Sequence, residues 1–124
     1  MRPKRIKFLQ TRSKHLPTVV IDPVEKGDPY VVVVGSRSNR YLNRVVTVKF
    51  EPDGTVNARC TCQWAHFGGT GCVHVIAALQ KLASRKQRTL SFWLSPEEAR
   101  RQKQHLIKLR GVDEDIWITS RRPA

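Results

Sequence analysis

All three cysteines of this 124-residue chain and two of its four histidines fall in one short stretch, CTCQWAHFGGTGCVH, from Cys60 to His74. Nothing else in the sequence restricts the fold as tightly. Cys60 and Cys62 are one residue apart, as are Cys72 and His74, with nine residues between the pairs. An odd number of cysteines makes no disulfide framework, and in a reducing compartment clustered thiols read as metal ligands. Zn2+ takes four ligands in a tetrahedron, and three thiolates with one imidazole form a common closed structural set. Two rivals stand beside that reading: buried structural cysteines, and a Cys/His nucleophilic pair. The second lacks an acid to orient a histidine toward a lone cysteine and leaves the other thiols unexplained. His66 lies in the same loop and competes for a ligand position, whereas His15 and His105 read as surface residues.

The spacing dictates how the chain bends. In a continuing strand Cys60 and Cys62 would share a face about 6.6 Å apart, but sulfurs on one zinc sit roughly 3.8 Å apart. The chain must therefore turn at Thr61. On a regular helix, residues two apart point about 200° from each other, so Cys72 belongs at a helix entrance and His74 in its first turn. GGTG, just upstream, supplies backbone freedom for that entry. Thiolates near a helix N-terminus are favoured by its free N–H groups, and Arg59 beside Cys60 is placed to offset the local anion.

The flanking segments supply the elements to be tied together. LPTVVID and YVVVV read as strands, joined by the turn-rich DPVEKGDP. GSRSNRYLNR is a polar basic loop whose second half is extended. VVTVKF alternates, with Val46, Val48 and Phe50 on one face and Val45, Thr47 and Lys49 on the other. EPDG has the chemistry of a tight turn, and TVNARC returns with Val56 and Ala58 on one face. This is an antiparallel hairpin leading into Cys60. Downstream, VIAALQKLAS has helical spacing, with Val75, Ile76, Leu79 and Leu82 lining one side and the cations of RKQR in the last turn. SPEEARRQKQHLIKLRG reads as a second helix: Ser95 is the N-cap, Pro96 the first helical residue, Glu98 the capping-box acid and Gly111 the stop. Its apolar content is thin, namely Ala99, Leu106, Ile107 and Leu109, so Arg100, Arg101 and Lys103 face solvent or a polyanion. DIWITS reads as a last short strand. Phe92, Trp93 and Trp117 are expected to lock the second helix and last strand onto the domain, and Trp64 and Phe67 to cover the metal loop.

Size and charge narrow the rest. The length suits one domain better than two, and a domain this small profits from a staple. The longest apolar run, VVVV, is strand-sized, far short of the roughly 20 residues of a membrane span. The basic N-terminus, with Arg2, Lys4, Arg5, Lys7, Arg12 and Lys14, is followed by no apolar stretch or cleavage site of a secretory signal. An intracellular protein is expected, with no membrane or small-molecule partner. The net charge of +13 and pI near 10.6 predict attraction to polyanions, nucleic acid first among them. Candidate phosphate contacts are Arg37, Arg40 and Arg44 in the basic loop, Lys81, Arg85, Lys86 and Arg88 at the end of the first helix, and Arg100, Arg101 and Lys103 in the second. No paired carboxylates, phosphate-binding loop or open metal site points to an enzyme.

The order Cys60-x-Cys62, a gap, Cys72-x-His74, with YVVVV and VVTVKF before it and CVHVIAAL after it, resembles the SWIM zinc finger family. The resemblance covers roughly residues 29–83 and implies two strands followed by a helix around one structural zinc. It also implies a role in nucleic-acid binding or in protein contacts. The expected fold is α+β: a small antiparallel hairpin sheet and a helix around zinc, extended by a C-terminal helix and a short strand. Residues 1–28 would form a basic arm and lead-in strand, 29–85 the zinc-binding core, and 86–124 an extension packed on it. The expected function is phosphate-mediated binding of nucleic acid, DNA rather than RNA, with little sequence preference. The alternative is an adaptor that docks a larger DNA-processing or transcription protein.

Overall fold

The structure is a computed structural model and describes residues 10–11, 13–14, 16–23, 25, 28–35, 43–61, 73–110 and 116–121. Among these, seven strands and two helices follow one another as β1 (Thr18–Ile21), β2 (Tyr30–Val34), β3 (Arg44–Phe50), β4 (Thr55–Cys60), α1 (Val73–Ser84), β5 (Thr89–Trp93), α2 (Pro96–Arg101), β6 (His105–Leu109) and β7 (Ile116–Arg121). All seven strands join one sheet in the order β1-β2-β3-β4-β6-β7-β5. Every pairing is antiparallel except β4 with β6. The class is α+β, as expected, but the sheet is much larger than a hairpin, and the C-terminal strands continue it.

Alternation sorts the side chains of this sheet cleanly. Val32, Val34, Val46, Val48, Val56, Ala58, Leu109, Ile116 and Ile118 point to one face and are buried there. That face receives α1, whose Val75, Ile76, Leu79 and Leu82 are buried as their spacing predicts, together with Ala77 and Ala78. Each fully buried Val, Ile or Leu contributes about 1.5–3 kcal/mol. α1 packs against β1 and β2 at one end of the sheet and against β5 at the other. A sheet whose two ends meet one helix must curl around it.

Tight turns set the register. In the β3–β4 hairpin Gly54 has a φ of 88°, a left-handed conformation that glycine adopts without steric cost. Gly54 N–H donates to Glu51 O (3.2 Å), and Glu51 N–H to Thr55 O (2.8 Å). The carbonyl of Gly54 accepts from Lys108 N–H (3.1 Å), tying the hairpin turn to β6. At the far edge, the side chain of Gln10 acts as a miniature strand: Nε2 donates to Leu90 O (3.0 Å) and Oε1 accepts from Phe92 N–H (3.2 Å). It thereby closes part of the exposed edge of β5.

The second helix departs from expectation. Ser95 caps it as predicted, its Oγ accepting from Glu98 N–H while its hydroxyl donates to Glu97 Oε2 (2.8 Å). α2 then ends at Arg101 instead of running to Gly111, and Lys103 adopts a φ of 53°. Residues His105–Leu109 form β6. Ile107 and Leu109 lie on the core face and Leu106 on the other, a two-residue period that burial between β4 and β7 satisfies and a helix would not. β5, Thr89–Trp93, is likewise a strand, in a segment where the sequence marks no element. Within it Phe92 is fully buried, and Trp93 Nε1 donates to Thr119 Oγ1 of β7 (3.0 Å). The strand expected over DIWITS is β7.

Candidate metal centre and basic face

β4 carries Cys60 to the rim of the core. Cys60 is the last residue of β4, opposite Val46, so it shares the face covered by α1, where it is half-buried. The chain bends at Thr61. That bend is fastened to β3 twice: Thr61 N–H donates to Val45 O (3.2 Å), and Thr61 Oγ1 accepts from Val45 N–H (3.1 Å). The bend lies where the Cys-x-Cys spacing called for a turn, and Cys62 beyond it lies outside the described residues.

The second ligand pair enters from the helix. α1 is described from Val73 onward with His74 in it, and the expected placement of Cys72 at its entrance falls outside the described residues. His74 Nδ1 is buried, with no hydrogen-bond partner among the described residues. A buried polar atom left unpaired costs about 1–3 kcal/mol, and a metal ion is one group that satisfies an imidazole nitrogen. Cys62, Cys72 and the competing His66, with Trp64 and Phe67, lie outside the described residues. Among the described residues no group of three or more His, Cys, Asp or Glu converges. What is visible fits zinc: a thiol from a strand end and an imidazole with its Nδ1 unpartnered, from the helix that packs on the same face of the sheet.

Arg59 does not stand beside the Cys60 thiol, as its place in the sequence suggested. Alternation sends it away from Cys60 to the outer face, opposite Thr47, where it is exposed.

The outer face is basic over the β3–β4 hairpin and β6, whereas toward β1 it exposes Val19, Ile21 and Val45. Lys49 and Arg59 lie diagonally across β3 and β4, flanking Asn57, and Lys108 stands opposite Thr55 on β6. Arg110 and Arg121 extend the row at strand ends. None of the seven strands contains an acidic residue; the described carboxylates lie in turns, connections and the first turn of α2. Trp117 carries this face to α2: Arg100 lies 5.8 Å and Lys108 5.9 Å from its ring centre, both cation–π distances.

The predicted phosphate contacts divide accordingly. Arg37 and Arg40 lie outside the described residues. Arg44 opens β3 on the core side, half-buried. Arg100, Arg101 and Lys103 belong to α2 and its exit, next to the basic face. Lys81, in the last turn of α1, and Arg85, Lys86 and Arg88, just beyond its end, gather away from that face. Two of these are already engaged: Arg85 makes a two-pronged contact with Asp22 (2.8 and 3.1 Å), and Arg88 donates to the Ser120 hydroxyl and to Ser120 O (3.0 Å). Sequence reasoning missed Lys49, Arg59, Lys108, Arg110 and Arg121. The alternation of VVTVKF and TVNARC already put Lys49 and Arg59 on the solvent side; Lys108 was hidden by the helical reading of its segment.

Neither the curated proteins nor the solved structures gave a match to this chain. Residues 45–83, from the second residue of β3 to the penultimate residue of α1, match the family model of the SWIM zinc finger, the family to which this segment of the chain is similar.

Proposed function

We propose that this protein is a non-catalytic, zinc-stapled nucleic-acid-binding protein that grips phosphates with the outer face of its sheet, prefers DNA to RNA, and reads little sequence. The observation that carries the reading is the set of seven described strands without an acidic residue, with Lys49, Arg59 and Lys108 on their solvent side, where the Glu51 carboxylate reaches in from the β3–β4 turn to accept from Asn57 (3.2 Å). Cations held on a rigid lattice of strands present fixed charge to a polyanion and release its counterions on contact. Trp117, between Arg100 and Lys108, adds a ring beside that charge.

Zinc belongs to the scaffold in this reading. Cys60, Cys62, Cys72 and His74 would hold it, and a closed four-ligand set supplies folding energy rather than a reactive site. By fastening the end of β4 to the start of α1, the ion would keep the hairpin that bears Lys49 and Arg59 in register. Among the described residues no helix is long and apolar enough to cross a membrane.

Titration of a fluorescent duplex oligonucleotide at several salt concentrations tests the proposal. Expected is tight binding at low salt that falls linearly on a log–log plot, with a slope of about 0.9 per phosphate neutralised. Absence of binding at low salt, or an affinity indifferent to salt, sinks it.

A further inference from the structure

At the end of α1 remote from His74, the sheet and the helix separate and leave a groove of about 560 Å³. Its floor is aliphatic, built from Val56, Leu79, Leu82, Leu90, Ile107 and Ile118. One lip is aromatic: Tyr30 and Phe50 meet edge to face, ring centres 6.1 Å apart at 78°. Phe50, at the end of β3, remains 45% exposed. The opposite lip is the helix exit with Arg85, Lys86 and Arg88, and His105 completes the rim. The metal ligands lie at the other end of α1, and the basic sheet surface lies on the other face. The groove therefore belongs to neither.

We infer that this groove is a docking site for an acidic segment of a partner protein that inserts one or two bulky apolar side chains. The floor rewards apolar insertion, since each buried side chain contributes about 1.5–3 kcal/mol before ordering costs. The rim selects negative charge beside the anchor: the only carboxylate paired there among the described residues is Asp22, on Arg85. A nucleic-acid base fits less well. Its edge needs donors and acceptors, and the floor has none; Ser120 Oγ, at the margin, is already taken by Arg88. The two rings are turned against each other rather than opened as a stacking platform. A free amphiphile also fits less well, because the aromatic lip stays exposed, and a peptide laid across the mouth would supply the missing wall.

The test is selection from a displayed library of short random peptides against the full zinc-loaded chain. Recovered peptides are then measured by fluorescence anisotropy, with a single-stranded oligonucleotide and dodecanoate as competitors. Expected is a consensus with an aromatic or Leu anchor next to Asp or Glu, and an affinity that drops about fivefold or more with Phe50→Ser and about tenfold with Lys86→Glu. Both positions are exposed or half-exposed, so both variants should melt near the parent temperature; Ala83→Phe, which fills the groove, is the independent check and should also abolish binding. The inference is overturned by failure to enrich such peptides, or by peptide affinities within twofold of the parent in Phe50→Ser and Lys86→Glu. It is equally overturned if the oligonucleotide or dodecanoate displaces the peptide and loses its own affinity in the same variants. Duplex binding through the sheet face is unaffected by these outcomes, so the two readings fail separately.

Discussion

Arg59 and Cys60 are consecutive in the chain and stand on opposite faces of the sheet, one opposite Thr47 among exposed cations, the other opposite buried Val46. Two residues that adjacency in sequence joins into one electrostatic unit thus serve different chemistry. The core side is free to hold a metal, and the outer side keeps its charge for a partner. Separation by a single peptide unit makes the two roles independently removable.

Charge reversal on the outer face should therefore weaken nucleic-acid binding without touching the metal. Arg59→Glu and Lys49→Glu, singly and together, are expected to flatten the plot of log affinity against log salt by about 0.9 for each phosphate no longer neutralised. Metal analysis should still find zinc in both variants, and the melting temperature should change little, since exposed substitutions usually cost less than about 0.5 kcal/mol. An unchanged salt slope in the double variant would remove the sheet face from the interface.

The converse variants address the staple. Cys60→Ser and His74→Ala should lower the zinc content of purified protein from one ion per chain and make the remaining fold sensitive to chelator, because structural zinc contributes folding energy directly. Cys72→Ser should behave alike, since loss of any ligand opens the set. Full zinc occupancy in all three variants would leave the buried Nδ1 of His74 in need of another explanation.

How much of this was legible beforehand follows from which forces act locally. The β3–β4 hairpin, the bend at Thr61 and the buried face of α1 were readable, because alternation, turn residues and helical spacing are local signals. β6 was not. HLIKL sits behind a good N-cap and among helix-favouring Arg, Gln and Lys, and only pairing with β4 and β7 across distant sequence makes it a strand. β5 was missed for the same reason. Of the four proposed ligands, Cys60 at the end of β4 and His74 in α1 are described, and Cys62 and Cys72 lie outside the described residues; the basic face was missed where the helical assignment hid Lys108.

That reassignment can be tested by side-chain deletion. In a strand Ile107 and Leu109 share the core face and Leu106 does not; in a helix Leu106 and Leu109 would share a face. Leu109, fully buried, should cost about 2–5 kcal/mol as Leu109→Ala. Ile107→Ala should cost more than Leu106→Ala by chemical denaturation. The reverse order, with Leu106 the costlier, would favour the helix.

Acid should destabilise the fold through its carboxylates. Asp22 is held below the ordinary aspartate range by its hydrogen bond from Arg85, Asp53 by hydrogen bonds from Thr55, and Glu97 by its bond from Ser95. A carboxylate depressed in the folded state adds stability above its unfolded value and loses it as pH falls through the folded one. Melting temperature should thus be level from neutral pH to about pH 4.5 on this account and fall below it. All three groups are exposed, so the effect is small and shrinks with added salt. Asp22→Asn removes its own share. Monitoring zinc in the same titration separates this loss from release of the metal, whose ligands also take up protons.

The end of α1 offers a stabilising change. Arg88 N–H donates to Ala83 O and Gln87 N–H to Ser84 O, both at 3.0 Å, the paired bonds of a Schellman stop. That motif puts its turning residue in the left-handed region, and Gln87 occupies it with a φ of 58°. A side chain there costs roughly 1–2 kcal/mol relative to right-handed backbone, a cost glycine escapes while giving back part of the gain as unfolded-state entropy. Gln87→Gly should therefore stabilise the protein by about 1 kcal/mol. Gly54→Ala, at a φ of 88° with open space around the added methyl group, should destabilise it by a similar amount. Denaturant midpoints read both. If Gln87→Gly lowers the midpoint, the helix does not end through this left-handed turn in solution.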